Sequence, residues 1–119
     1  MKALFQTLLF ALAIAATQAA TVSFNGFKPA VIIDVRTAEE YAAGHIDGAI
    51  NIPHEQIGQG IQSVKGLKKT TPVLVYCRSG RRSGIAKSTL EQLGFKQIVN
   101  GGGIETVAQT LKTCSSKTC

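Results

Sequence analysis

In this 119-residue chain, the sequence around Cys77 is the stretch most typical of a reactive side chain. An apolar run rich in β-branched residues, positions 73–76, ends at this thiol. Five residues that include three arginines and a glycine follow it, and a helical pattern then begins near Ser83. Backbone N–H groups and the positive end of a helix dipole converge at such a turn. The stretch therefore predicts a strand-end thiol beside a site that stabilises an anion.

The loop after Cys77 favours the thiolate form of this cysteine. A free cysteine has a pKa of about 8.5, which helix N-termini and nearby cations lower. Arg78, Arg81, Arg82 and the predicted helix N-terminus supply both effects. Because the thiolate is the nucleophile, we interpret Cys77 as an activated sulfur centre. The alternative is an inert, partly buried cysteine at the end of a strand.

The elements that must position this thiol alternate between strands and helices. The apolar run at residues 31–35 is broken only by Asp34, which is typical of a strand buried on both faces of a parallel sheet. Thr37 and Glu40 have the capping-box spacing for a helix that stops at Gly44, expected as a left-handed cap. Further strands are predicted at 21–24, 49–52, 73–76 and 97–99, and helical patterns at 54–64, 85–93 and 104–111. The order predicts an α/β fold with a small parallel β-sheet and helices on both faces.

Two local patterns describe the surroundings of the predicted site. The helix after Cys77 is expected to bury one stripe, formed by Ile85, Ala86, Leu90 and Leu93. The three glycines at positions 101–103 are expected to permit a tight turn beside the site.

The carboxyl ends of the strands predict where a crevice lies, because ligands bind to such sheets beyond these ends. The other residues expected to gather there around Cys77 are Asp34, Arg36, Asn51 and Asn100. His45 is expected to have a hydrogen-bonding structural role and His54 to lie on the surface. Two histidines and three cysteines are too dispersed for metal-ligand spacing. No metal or other cofactor is therefore predicted.

The first 20 residues have the order of a secretory signal peptide. Lys2 precedes a short apolar run that ends near Ala16, and small residues follow it. The run is too short to favour a membrane span, although an uncleaved N-terminal anchor is the alternative. Cleavage near Ala19 or Ala20 predicts a periplasmic or secreted protein without a stable membrane anchor. Removing 20 of 119 residues leaves 99, enough for one domain at residues 21–113 and a tail at 114–119.

Three cysteines are an odd number for an exported chain. The simplest division is a disulfide between Cys114 and Cys119 in the tail, which leaves Cys77 as a free thiol. One alternative is a disordered tail with two unpaired thiols. Another is a tail cysteine that resolves an oxidised Cys77.

A net charge of +6 is compatible with a nucleic-acid partner, but the distribution of the basic residues favours a small anionic one. Basic residues do not form one long run, and three of them follow Cys77 directly. Export also argues against a nucleic-acid partner. A small anionic substrate explains the local charge better.

Four segments of the chain, in this order, resemble the single-domain rhodanese (thiosulfate sulfurtransferase) family. They are residues 33–41, residues 44–53, the Cys77 loop (residues 77–83) and the glycine-rich stretch at 100–103. The resemblance spans about residues 31–111, and a signal peptide before one short domain is most like the periplasmic members of the family. It implies a rhodanese-like fold.

The resemblance implies a double-displacement mechanism. The Cys77 thiolate would attack the outer sulfur of thiosulfate or another small anionic sulfur donor, leaving a persulfide on Cys77. Cyanide or a thiol acceptor would then remove that sulfur. Asp34 and Arg36 are expected to support the site structurally. The residues expected to bind the donor and the persulfide are Arg78, Ser79, Gly80, Arg81, Arg82 and Ser83.

Three other functions stay open at this point. The chain could be a non-catalytic rhodanese-like binding module, although the presence of Cys77 argues against it. It could be a thiol redox protein that pairs Cys77 with Cys114 or Cys119. It could also be a cysteine phosphatase, but phosphatases related to this fold use Cys-x5-Arg. Here the arginine stands at +5 and Ser83 at +6, so the loop is one residue short.

Overall fold

The structure, a computed structural model, describes residues 23–115. The strands are β1 (Val31–Asp34), β2 (His45–Ile46), β3 (Ile50–Asn51), β4 (Val73–Cys77), β5 (Ile98–Gly103) and β6 (Thr113–Cys114). The helices are α1 (Ala38–Ala43), α2 (Ile57–Gly60), α3 (Arg81–Gln92) and α4 (Ile104–Val107), with 3-10 turns at His54–Gln56 and Ile61–Ser63. Four strands form a parallel sheet in the order β3-β1-β4-β5. The predicted parallel α/β fold is confirmed.

Strand β4 lies inside the sheet and is buried on both faces. Its alternate residues Val73, Val75 and Cys77 join one apolar cluster, together with residues of α2 and α3. The residues between them, Leu74 and Tyr76, join a second cluster with residues of α4 on the other face. This alternation follows from the two-residue period of a strand. Cys77 is therefore anchored by the most buried strand of the fold.

The predicted apolar stripe of α3 is wrong in part. Its buried residues are Ser83, Ala86 and Leu90, whereas Ile85 is 43% and Leu93 41% exposed. Spacings of three and four residues keep the buried three on one face of the helix. Ile85 is one residue from Ala86 and hence about 100° around the helix, and Leu93 follows the last helical residue. The buried face thus begins with a serine of the Cys77 loop.

The glycines at 101–103 belong to β5 rather than to a turn. A Cβ atom on Gly103 would lie 2.5 Å from the carbonyl oxygen of Arg78, and one on Gly101 would lie 2.9 Å from Val107 Cγ2. Glycine therefore lets this strand approach the Cys77 loop and α4 closely. Only Ile104–Val107 of the predicted 104–111 helix is helical, although Leu111 is buried as well.

Two expectations near the N-terminal end also need correction. Phe24 pairs only with Phe27 in an isolated bridge around Asn25, so the expected strand at 21–24 does not join the described sheet; its first two residues lie outside the described range. The capping box of Thr37 and Glu40 is confirmed. Gly44 ends α1 with φ 159° and ψ 138°, outside the left-handed helical region that was expected.

Both ends of the chain carry sequence-based predictions that the described range does not reach. The predicted signal peptide (1–20) and Cys119 lie outside residues 23–115. Within that range, no helix is long and apolar enough to cross a membrane. Cys114 is buried in β6, which pairs with β2, and it is disulfide-bonded, whereas Cys77 is a free thiol.

Candidate active site

The Cys77 sulfur lies at the C-terminal end of β4, enclosed by the Cys77 loop. The residue is fully buried. Its Sγ atom accepts a hydrogen bond from the Gly80 N–H at 2.9 Å and lies 3.4 Å from the Ser83 hydroxyl. Gly80 has φ 101°, a left-handed conformation that glycine adopts without a Cβ penalty. This turn directs backbone N–H groups at the sulfur.

The pKa of the Cys77 thiol is lowered from 9.0 to about 7. Burial by itself raises this pKa, because it disfavours the charged form. Hydrogen bonds from the Ser83 hydroxyl and from the N–H groups of Ser83, Ser79 and Gly80 outweigh burial. The sequence predicted two causes, the arginine charges and the helix N-terminus, and the largest lowering effects come from hydrogen bonds at the start of α3. About half of the thiol is ionised near neutral pH.

The three loop arginines lie in two different environments. Arg82 donates hydrogen bonds to both carboxylate oxygens of Glu40, at 2.9 and 3.2 Å, and so braces the loop against α1. Arg78 and Arg81 are exposed, and neither forms an ion pair within residues 23–115. A cavity of about 570 Å³ opens beside the loop and is lined by residues that include Arg78, Ser79 and Glu105. Positive charge is thus available to an incoming anion at the surface.

A buried ion pair lies behind the loop at the end of β1. Arg36 binds the Asp34 carboxylate through Nε and Nη2, with a shortest distance of 2.7 Å. The Tyr76 hydroxyl donates to the same carboxylate at 2.7 Å and accepts from the Ile46 N–H at 2.9 Å. Arg36 also donates to the Gly44 carbonyl. Through these contacts Asp34 and Arg36 join β1, β2 and β4.

Asn51 and the two histidines contribute contacts outside the sulfur site. Asn51 donates to the backbone carbonyls of Asp34 and Arg36 at 3.0 and 3.1 Å. His45 is buried and stacks on the Tyr41 ring, with its Nδ1 atom 2.9 Å from the Tyr41 carbonyl. His54 is only partly exposed and lies 3.7 Å from Glu55. In the described part of the chain, no cluster of three or more His, Cys, Asp or Glu side chains could hold a metal ion.

Tyr76, Glu40 and Asn100 have site contacts that sequence reasoning did not assign. Asn100 was expected near the crevice, but no role was given to it. Its Oδ1 atom lies 2.7 Å from the Ser83 hydroxyl, which itself contacts Cys77. The only sequence signal for these three is their position near strand ends or helix starts, because their partners are 17 to 42 residues away.

The fold and the loop agree with the comparisons with known proteins. The family described as Rhodanese-like domain matches residues 19–109. The chain belongs to the rhodanese family. The resemblance of the four sequence segments and the rhodanese-like fold are both confirmed.

Several relatives are identical to this chain at a third or more of the aligned residues. "Thiosulfate sulfurtransferase PspE" of Escherichia coli is 42% identical over 76 residues, which cover 64% of this chain and 72% of that protein. "Putative sulfur carrier protein YrkF" of Bacillus subtilis is 35% identical, over 66% of this chain but 45% of that protein. The solved structure "rhodanese with anions from E. coli" has 36% identity and a TM-score of 0.67, covering 72% of this chain and 98% of its own. The chain is thus a rhodanese-like sulfurtransferase by family.

Proposed function

We propose that this protein is a thiosulfate sulfurtransferase in which Cys77 carries sulfane sulfur as a persulfide. The observation that carries the proposal is the free, buried Cys77 sulfur, which faces N–H groups of its own loop. The similarity to a thiosulfate sulfurtransferase supports the choice of donor. This reading makes Cys77 a nucleophile and not merely a core residue.

The first half-reaction loads the enzyme with sulfur. The Cys77 thiolate attacks the outer sulfur of thiosulfate, a new S–S bond forms, and the old S–S bond breaks with its electron pair leaving on sulfite. The product is a persulfide anion on Cys77. No general base is required, because a thiol with a pKa of about 7 is already about half ionised at neutral pH.

The second half-reaction removes the sulfur from the enzyme. Cyanide or a thiol attacks the outer sulfur of the persulfide, and the Cys77 thiolate leaves with the electron pair. The N–H groups that face the sulfur stabilise the anion in each resting form. Arg78 and Arg81, which face solvent, attract the anionic donor. Arg82 is held by Glu40 and contributes by fixing the loop.

The proposed setting of this reaction is the periplasm or the exterior of the cell. The N-terminal order of Lys2, apolar run and small residues carries this part of the proposal. An exported enzyme would meet small sulfur anions and thiols rather than nucleic acid. The proposed tail disulfide between Cys114 and Cys119 suits an oxidising compartment.

Mass spectrometry after treatment with thiosulfate tests the function. Wild-type protein should gain the mass of one sulfur atom on the peptide that contains Cys77, and cyanide should remove it as thiocyanate. The Cys77→Ser variant is the control and should gain nothing, because a serine hydroxyl is not ionised at neutral pH. Absence of both adduct and thiocyanate with folded wild-type protein would refute the proposal. A disulfide between Cys77 and a tail cysteine in the isolated protein would favour the redox function instead.

A further inference from the structure

The Ser83 hydroxyl has one proton and two neighbours that can accept it. Its Oγ atom lies 2.7 Å from Asn100 Oδ1 and 3.4 Å from Cys77 Sγ. Ser83 is fully buried, so water does not offer a third acceptor. The single hydroxyl proton can therefore be donated either to the amide oxygen of Asn100 or to the sulfur of Cys77.

The orientation of the Asn100 amide is fixed by two further contacts. Its Oδ1 atom accepts from the Gly102 N–H at 2.9 Å, and its Nδ2 group donates to the Gly80 carbonyl at 3.3 Å. A flipped amide would place its NH2 group against the Gly102 donor and its oxygen against the Gly80 acceptor. The oxygen of Asn100 therefore faces Ser83.

We propose that Asn100 is a positioning residue that sets the direction of the Ser83 proton during sulfur transfer. While Cys77 is a thiol, its S–H donates to Ser83 Oγ, and the Ser83 hydroxyl donates to Asn100 Oδ1. Once the sulfur carries a negative charge, the Ser83 hydroxyl turns to donate to it. Of its protein partners, Asn100 Oδ1 then keeps the Gly102 N–H, and solvent replaces Ser83 because Asn100 is exposed. This inference rests on the proposed function, in which Cys77 alternates between charged forms.

Ionic groups near Cys77 are mostly neutralised by partners. Asp34 pairs with Arg36 behind the loop, and Glu40 of α1 pairs with Arg82 of α3. Tyr76, the neighbour on β4, keeps its proton because burial raises its pKa. Because these groups are paired or uncharged, the part of the site that can change during the reaction is the set of hydrogen bonds made by Ser83.

The remaining charged groups lie at the surface. Arg78 and Arg81 are exposed in the loop, and Glu105 of α4 lines the neighbouring cavity. Strand β5, which carries Asn100, has no titratable side chain. The substitution Asn100→Asp therefore introduces a titratable carboxyl group into a strand that otherwise has none.

The test compares the ionisation of Cys77 in wild-type protein and in the variants Asn100→Asp, Ser83→Ala and their combination. The rate of alkylation by iodoacetamide is measured against pH, with the Cys77 peptide followed by mass spectrometry. A carboxylate at position 100 should hold the Ser83 proton more firmly than an amide does. We expect Asn100→Asp to move the midpoint upward by about one pH unit, which lowers the thiolate fraction well below the midpoint about tenfold.

The Ser83→Ala background separates this mechanism from simple charge repulsion. Without the hydroxyl, Asn100→Asp should shift the midpoint by about half as much or less, because only the charge effect remains. Equal shifts in the two backgrounds, or no shift in either, would overturn the inference. Gln97→Glu adds the same charge at an exposed site just before β5 and should leave the midpoint unchanged.

A second variant covers the case in which Asn100→Asp does not fold. Asn100→Ala carries no charge, and its effect on the midpoint should differ between the Ser83 and Ser83→Ala backgrounds. An identical effect in both would again contradict the inference. Failure of wild-type protein to gain sulfur from thiosulfate would refute the proposed function, whereas the Cys77 titrations would still test Asn100.

Discussion

Replacing Glu40 by glutamine tests whether one carboxylate holds helix α1 and the Cys77 loop together. The Glu40 carboxylate accepts from the Thr37 N–H at 2.9 Å within the capping box and also accepts two hydrogen bonds from Arg82. Glutamine keeps an oxygen for the capping box, which accepts Glu or Gln at this position. The substitution therefore removes mainly the charge that faces Arg82.

The size of the effect follows from the pKa of the Glu40 carboxyl. The hydrogen bonds from Arg82 are the largest cause of its fall from 4.5 to about 2, with the Thr37 N–H contributing less. Each pKa unit corresponds to about 1.4 kcal/mol, so the upper bound on the stabilisation is about 3 kcal/mol. The side chains of Arg82 and Glu40 are 21% and 25% exposed, so solvent screening reduces this value. We expect Glu40→Gln to lower the free energy of unfolding by about 1–2 kcal/mol at pH 7.

The pH dependence of this difference has a definite sign. The folded pKa of Glu40 lies below its unfolded value, so its contribution is complete above about pH 4.5 and is lost as the pH falls through about 2. The stability difference between wild-type protein and Glu40→Gln should therefore be full at pH 7. At pH 3 it should be about half as large or less.

Urea unfolding at both pH values measures the difference, with circular dichroism as the signal. Glu91→Gln is the matched control, because Glu91 forms an exposed i,i+4 pair with Lys87 and should cost at most about 0.5 kcal/mol. Equal effects of the two substitutions at pH 7 would refute the proposed link between α1 and the loop. An effect of Glu40→Gln that does not fall between pH 7 and pH 3 would show that the charge is not its cause.

Three further predictions concern the sulfur, the surface charge and the buried tyrosine. The rate of persulfide formation should rise with pH and level off above about pH 7, following the Cys77 pKa; a midpoint near 9 in stopped-flow kinetics would contradict the hydrogen-bond account. Arg78→Gln or Arg81→Gln should raise the KM for thiosulfate and weaken its salt dependence with little change in kcat; an unchanged salt dependence would show that they do not attract the donor. Tyr76→Phe leaves a buried N–H without its acceptor and should cost about 2–3 kcal/mol in urea unfolding. The control is Tyr41→Phe, which should cost about 1 kcal/mol, because within residues 23–115 the Tyr41 hydroxyl makes one hydrogen bond, to the Ala49 carbonyl. Similar losses in both variants would contradict the expected cost of leaving the Ile46 N–H without its acceptor.

Much of the fold could be predicted from the sequence, because its helices and strands follow from patterns among residues that are close together in the chain. The alternation of strands and helices follows from apolar periodicity, and the capping box needs only Thr37 and Glu40, three residues apart. The sequence also placed Cys77 at the end of a buried strand, where the structure has it. Local sequence was a weaker guide at Gly103, because a side chain there would clash with the Arg78 backbone, which is more than 20 residues away in the chain.

The sequence by itself determined the parallel α/β fold, the strand-end position of Cys77 and the length of its loop. Tertiary structure alone decided which side chains reach that loop. Glu40 binds Arg82 and Asp34 binds Tyr76 across 42 residues, and Asn100 reaches Ser83 across 17. Such pairs depend on strand order and register, which bring together residues that no local pattern connects. The same packing decided that hydrogen bonds, more than arginine charges, set the ionisation of the Cys77 sulfur.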